Sequence, residues 1–313
     1  LAGYILRRVL ATIPVMGIVA FLVFSLLFLA PGDPAAVIAG DQATPQDVER
    51  IRANLGLDRP FLVQFGEWVW RIAQGDLGTS IFTNLPVSTM IKQRIEPTLA
   101  LMLTTLVLAI SIAVPMGVMA AWKQGSWIDR GVMAFAVVGF SVPVFVVGYL
   151  LAWLFALTLD WLPVQGYTPI AQGFWPFLEN LVLPSLALGT IYIALIARIT
   201  RATMLEVLSQ DYVRTARAKG LPEGPVLFVH ALKNAAVPIV TVIGIGVALL
   251  IGGAVVTESV FAIPGLGRLT VDAILRRDYP VIQGIVLLFS FVYVLVNLAV
   301  DILYTVFDPR IRY

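Results

Sequence analysis

Apolar residues gather into six runs, each long enough to cross about 30 Å of hydrocarbon at 1.5 Å per helical residue. They lie near 9–30, 98–121, 131–158, 181–205, 236–258 and 281–305. Between the first two runs the pattern turns amphipathic. In TPQDVERIRANLG, Thr44 can cap a helix, Pro45 suits its first position, Val48, Ile51 and Leu55 share a face, and Gly56 can end it. Phe61, Phe65, Trp68 and Ile72 recur at helical spacing before Gly75. Val87, Met90 and Ile91 begin a third helix before Pro97 opens the second long run. The pattern predicts six transmembrane helices with a helical insertion over 31–97, which either caps the bundle or meets a partner. Pro14, Pro115, Pro143 and Pro184 fall inside spans, where kinks are expected. Arg7 and Arg8 precede a first run that exceeds a signal-peptide core and lacks a following A-x-A site, so it reads as a retained span.

Composition strengthens this picture. With 313 residues, 59% of them hydrophobic and 13% charged, the chain has too little charged surface to cover a water-soluble globule. The expectation is an all-α membrane protein. A net charge of +2 with no long basic run points away from nucleic acid, and the lack of cysteine excludes disulfides and thiolate metal sites. Placing Arg7/Arg8, Lys123/Arg130, the Arg198 to Lys233 segment and Arg310/Arg312 on one side gathers most basic residues there. The positive-inside rule makes that side cytoplasmic, with both termini inside. Arg268, Arg276 and Arg277 run against the assignment.

The chemistry is defined mostly by exclusion. No lysine is followed by Ser or Thr, so no Walker A phosphate cradle exists. His230 is the only histidine, which rules out paired-histidine metal sites; it reads as a packed or interfacial loop residue. No G-x-S-x-G nucleophile turn is present. Charges are costly at membrane depth and are kept there for function, yet no span carries one at its centre. Asp160, Glu258 and Asp301 sit near span ends, where water is expected to reach them. Gln283, Ser290, Asn297 and Asp301 share one face of the last span, either lining a pathway or bonding to other helices. Gly244, Ala248 and Gly252 form a small-residue stripe, for close helix packing or a subunit interface. No internal repeat is seen. The chain reads as a conduit without its own energy source, neither an enzyme nor a charge-driven carrier.

One polar segment stands apart. After Ser209, residues 210–219 form a short helix, Gly220 its left-handed terminus and Pro222 a stop. Tyr212, Val213 and Ala216 make one side, while Arg214 and Arg217 make another. A second helix over 225–234 carries Val226, Val229 and Leu232. Such a hairpin can lie on lipid headgroups or slot into a protein groove.

The motif MLEVLSQDYVRTARAKGL…HALKNAAVPIV resembles the cytoplasmic coupling loop of ABC importer permeases, in the branch for dipeptides, oligopeptides, nickel and glutathione. YILRRVLATIP, PGDPAAVIAG, LGLDRP, GDLGTS, TESVFAIPGLGRL, RRDYPVIQG and VNLAVDILYTVFDPRIRY extend the resemblance over almost the whole chain. Where importers in general carry E-A-A-x-x-x-G, this chain has Arg214, Thr215 and Ala216, as the branch commonly does, so no role passes to the usual glutamate. The resemblance implies the type I importer permease arrangement. It divides the chain into a first helix over 1–30, an extracytoplasmic insertion over 31–97, and a core over 98–313 whose coupling loop covers about 206–235.

Implied partners are a second permease, two cytoplasmic ATPase subunits that bind the ATP and Mg, and an extracytoplasmic binding protein. The implied place is the cytoplasmic membrane of a prokaryote, and the implied cargo is a di- or oligopeptide, with glutathione or nickel as alternatives. An ATPase-independent channel or carrier is the competing class. In the coupling loop, made of Asp211, Tyr212, Arg214, Thr215, Ala216, Arg217, Lys219, Gly220 and Leu221, the resemblance implies that Tyr212 and Ala216 enter an ATPase cleft. The basic residues would meet its rim. Glu258, Phe261, Pro264, Gly265 and Arg268 would form an outer gate, a binding-protein seat, or a turn that only closes the bundle.

Overall fold

The computed structural model describes residues 2–29, 33–39, 43–54 and 56–307. In chain order the helices are α1 (Ala2–Leu29), α2 (Pro34–Ala39), α3 (Pro45–Asn54), α4 (Phe61–Ala73), α5 (Val87–Trp122), α6 (Trp127–Ser141) and α7 (Val144–Leu151). After a π-helical turn, Ala152–Thr158, come α8 (Phe174–Leu208), α9 (Asp211–Ala218), α10 (Glu223–Pro225), a second π-turn Val226–Ala231, and α11 (Leu232–Asn234). The series ends with α12 (Ala236–Val260), α13 (Leu266–Arg276) and α14 (Tyr279–Phe307). Five helices are long and apolar enough to span a membrane, and the bent pair from Trp127 to Thr158 is either a broken sixth span or a re-entrant loop. The all-α expectation holds, with five or six candidate spans among the described residues.

Two boundaries differ from the sequence reading. A separate helix was expected to stop before Pro97, but α5 runs through it for 36 residues, about 54 Å at 1.5 Å per residue. Losing one backbone donor at Pro97 is outweighed by the next residue, where the buried Thr98 hydroxyl is locked into tertiary hydrogen bonds. The third span was expected to be one kinked helix, yet α6 and the segment from Val144 to Thr158 meet at 108°. Pro143 is the cause: it disfavours helical backbone at the preceding residue, and Val142 is extended at φ −93°, ψ 123°.

The chain forms two compact units, one from 1–95 with 269–294 and one from 96–268 with 295–313. In the first, the aromatic stripe of α4 packs on α1 as its spacing predicts. Phe61, Phe65 and Trp68 surround Phe24, with ring centroids 5.2–5.6 Å from it. Aromatic pairs in this range add about 0.5–1.5 kcal/mol beyond area burial. Gly75, at φ +83°, ends the turn after α4.

In the second unit α8 is the central helix, with 67% of its most apolar stretch buried against 28% for α12. Its neighbours approach through small residues. A Cβ on Gly246 would sit 2.6 Å from the Tyr192 ring, and one on Gly253 would sit 2.5 Å from Leu188. The 244/248/252 stripe is therefore not a single seam: Gly244 abuts Val300, whereas Gly252 faces open space. Four-residue steps drift by about 40° around a helix, while the seven residues from Gly246 to Gly253 return within about 20°. Thr104 and Ser185 hydroxyls, 2.8 Å apart, add a hydrogen bond between α5 and α8.

Candidate functional site

The polar hairpin folds as its residues dictate. The Ser209 hydroxyl donates to the Glu206 carbonyl at 2.7 Å, Gln210 is extended, and α9 begins at Asp211. Gly220 takes φ +79°, a left-handed conformation that costs a side-chain-bearing residue about 1–2 kcal/mol. Across this turn Arg217 grips Glu223 with two nitrogen–oxygen bonds of 3.0 and 3.2 Å. Arg214 pairs with Asp211 one turn back, and Thr215 donates to the Asp211 carbonyl at 2.9 Å. The second helix expected over 225–234 exists but is interrupted by the π-turn.

The hairpin has two different sides. Tyr212, Val213 and Ala216 were expected on one apolar face, yet Val213 is fully buried while Tyr212 is 43% exposed. Adjacent helical residues are about 100° apart, so they divide between inner and outer sides. Val226, Leu227 and Ala231 are buried as well, with Leu227 and Ala231 in a cluster that includes Val118, Met204 and Ile239. Tyr212, Phe228 and Val229 are exposed, as are Lys219 and Lys233. Partial burial raises the Tyr212 hydroxyl pKa above the ordinary tyrosine value, although the Asn234 side chain partly offsets this. His230 is half-buried in the π-turn and its carbonyl accepts from Asn234 at 2.6 Å.

Near the same end of α8 lies a pair that sequence reasoning missed. Arg201 holds Asp129 through two bonds, one of them 2.8 Å, and the Gly125 N–H donates to the same carboxylate at 2.9 Å. The partners are 72 residues apart, so no local pattern joins them. The signal available was a lone acid three residues after Ser126, which caps α6.

The second candidate group surrounds Glu258. Water was expected to reach it; instead it is fully buried. Its carboxylate accepts the Thr98 hydroxyl at 2.6 Å and the Arg268 N–H at 2.9 Å, while Thr98 accepts the Leu266 N–H at 2.8 Å. In the first turn of α13 the Arg268 N–H thus reaches the carboxyl group directly, and the Leu266 N–H reaches it through Thr98. Glycine is required for the fit, because a Cβ on Gly265 would lie 2.2–2.4 Å from the carboxyl atoms. Phe261 is buried too, its carbonyl accepting the Gly166 N–H at 2.9 Å, whereas Pro264 and Arg268 are exposed.

The last-span polar face divides by role. Gln283 is buried, Ser290 donates to the Val286 carbonyl at 2.8 Å, and Asn297 is exposed. The Asp301 side chain lies outside the described residues, as do those of Arg7, Arg8, Arg310 and Arg312.

Five helices long and apolar enough to cross a membrane, with a further bent pair, mark an integral membrane chain. Two family descriptions cover the chain: the binding-protein-dependent transport system inner membrane component over residues 113–313, and the N-terminal part of such membrane components over 1–113. The chain belongs to this permease family. It is 56% identical over 310 residues to a probable peptide ABC transporter permease protein of Sinorhizobium fredii, covering 99% of each. It is 43% identical to a dipeptide transport system permease protein of Alkalihalophilus pseudofirmus and 46% identical to a glutathione transport system permease protein of Salmonella typhi, covering 99% of all three chains. Among solved structures it resembles the inward-facing MetNI methionine ABC transporter, with TM-score 0.59 and 18% identity over 71% of this chain and 97% of that one. That likeness establishes the type I importer permease fold.

Proposed function

We propose that this chain is the pore subunit of an ATP-driven importer of di- or oligopeptides in the cytoplasmic membrane of a prokaryote. Residues 1–30 form its first helix, 31–97 an extracytoplasmic insertion and 98–313 the core, with both termini cytoplasmic. It pairs with a second permease, takes substrate from an extracytoplasmic binding protein, and is driven by two ATPase subunits that bind ATP and Mg. The observation that carries this reading is the two-sided hairpin: Val213 and Val226 are buried inside the chain while Tyr212, Phe228 and Val229 remain exposed. Exposed aromatic and aliphatic side chains on a hairpin that also exposes Lys219 and Lys233 suit a protein groove with acidic edges.

Closure of the ATPases moves α9 in this account, and the buried side of the hairpin carries the displacement into α5, α8 and α12. Arg214 and Arg217 brace the hairpin through their own ion pairs, while Lys219 meets the groove rim. Ala216 lies beside Tyr212 at the docking surface, and Gly220 and Leu221 turn the chain away from it. At the other face, Glu258, Phe261, Pro264, Gly265 and Arg268 form the outer gate or binding-protein seat, and Gln283, Ser290, Asn297 and Asp301 line or brace the pathway. The name of the 46% identical Salmonella relative favours glutathione as a second cargo.

Reconstitution with the partner subunits and binding protein tests the reading. ATP-dependent uptake of labelled peptides into proteoliposomes is expected, with glutathione as the parallel arm. Accumulation by this chain alone, without ATPase subunits, would instead identify a channel or carrier.

A further inference from the structure

The first unit contains a cavity of about 590 Å³, within the range of roughly 300–1,000 Å³ typical of small-ligand sites. Its walls combine Phe24 and Trp68 with Glu67, Arg71, Asp76 and Gln283. Three of these polar groups have capacity to spare. Gln283 is only 7% exposed and its amide nitrogen has no hydrogen-bond partner, a state that costs about 1–3 kcal/mol when nothing fills it. Arg71 follows Glu67 by one helical turn, the spacing of an ion pair, but Glu67 is held by Arg59 at 2.6 Å. Among the described residues no carboxylate pairs with Arg71. Asp76 uses one carboxylate oxygen to accept the Gly78 N–H at 2.9 Å, and its other oxygen stays open. An exposed cation, an unused amide donor and an exposed carboxylate thus line one cavity with an indole ring.

We infer that this cavity binds the free main-chain ends of a short peptide. The carboxylate is held by the Arg71 guanidinium and the Gln283 amide, the ammonium by Asp76, and one side chain lies against Trp68. Arginine suits the first task because its planar fork matches a carboxylate. The inference rests on the peptide-transport reading and deepens it: the permease chain itself would hold cargo, beyond what a binding protein does.

The test uses the assembled transporter in phosphatidylcholine nanodiscs, without binding protein, titrated calorimetrically with dialanine and with N-acetyl-dialanine amide. Dialanine is expected to bind, the end-blocked form at least tenfold more weakly. Arg71→Gln should weaken dialanine at least tenfold. Gln283→Met should also weaken binding while raising the thermal midpoint, since it removes the unpaired amide. Equal binding of free and blocked peptide, or wild-type binding by both variants, would overturn the site. So would phosphatidylethanolamine in the disc displacing dialanine from the wild type, which would make the cavity a headgroup seat. Transport separates the two readings. ATP-driven peptide uptake whose KM is unchanged in Arg71→Gln would refute the cavity and leave the transport function intact; failure of the wild type to take up any peptide would refute the function itself.

Discussion

Removing the carboxyl group of Glu258 should loosen the second unit markedly. In Glu258→Ala the Thr98 hydroxyl and the Arg268 N–H lose an acceptor in a site without water access. Leaving each buried donor without an acceptor costs about 1–3 kcal/mol. These contributions overlap, and relaxation recovers part of them, so the expected loss is about 3–5 kcal/mol. At roughly 2–4 °C per kcal/mol for a unit of this size, the apparent Tm in detergent should fall by about 6–20 °C. Glu258→Gln keeps the volume and one acceptor oxygen and should lose about half as much. Differential scanning fluorimetry of the three proteins, purified alike, measures both. A fall below about 2 °C for Glu258→Ala, or an equal fall for the two variants, would show that the carboxylate does not organise the loop.

Three further outcomes follow from the packing. Arg201→Met strands the buried Asp129 and should cost about 3–5 kcal/mol, whereas Arg201→Met with Asp129→Leu should regain most of the loss; the same melting assay compares them. Gly246→Val drives new methyl groups into the Tyr192 ring, beginning from a Cβ at 2.6 Å. It should destabilise by about 1–3 kcal/mol, while Gly252→Val, facing open space, should be close to neutral. Gly220→Ala should cost about 1–2 kcal/mol of hairpin order because of its φ of +79°, visible as faster amide exchange over 211–222 with little change at α12.

Much of this architecture was legible because the bilayer demands long apolar runs and α4 carries its aromatics at helical spacing. The left-handed Gly220, the stop at Pro222 and the α4 face of Phe61, Phe65 and Trp68 follow from local rules alone. What escaped the sequence is nonlocal. Glu258 looked water-reachable because span ends usually are, and its seclusion depends on Thr98, 160 residues away. Arg201 and Asp129 carry no mark of each other, and the sharp turn at Val142 exceeds the kink that a proline in a span suggests. Val213 and Tyr212 are neighbours in a short helix; their opposite fates are set by the packing of α9 against α8 and the π-turn Val226–Ala231, which no periodicity over eight residues can reveal.

Docking of the hairpin on a separate ATPase is the claim on which the transport account depends. The chain has no cysteine, so single Tyr212→Cys, Phe228→Cys and Val213→Cys variants can each be assembled with the partner subunits and treated with a short thiol-to-amine cross-linker during ATP turnover. The account predicts strong linkage to an ATPase subunit from positions 212 and 228 and little from the buried 213. Linkage absent from 212 and 228 in a complex that still imports substrate, with both thiols labelled by a membrane-impermeant reagent added outside, would contradict it.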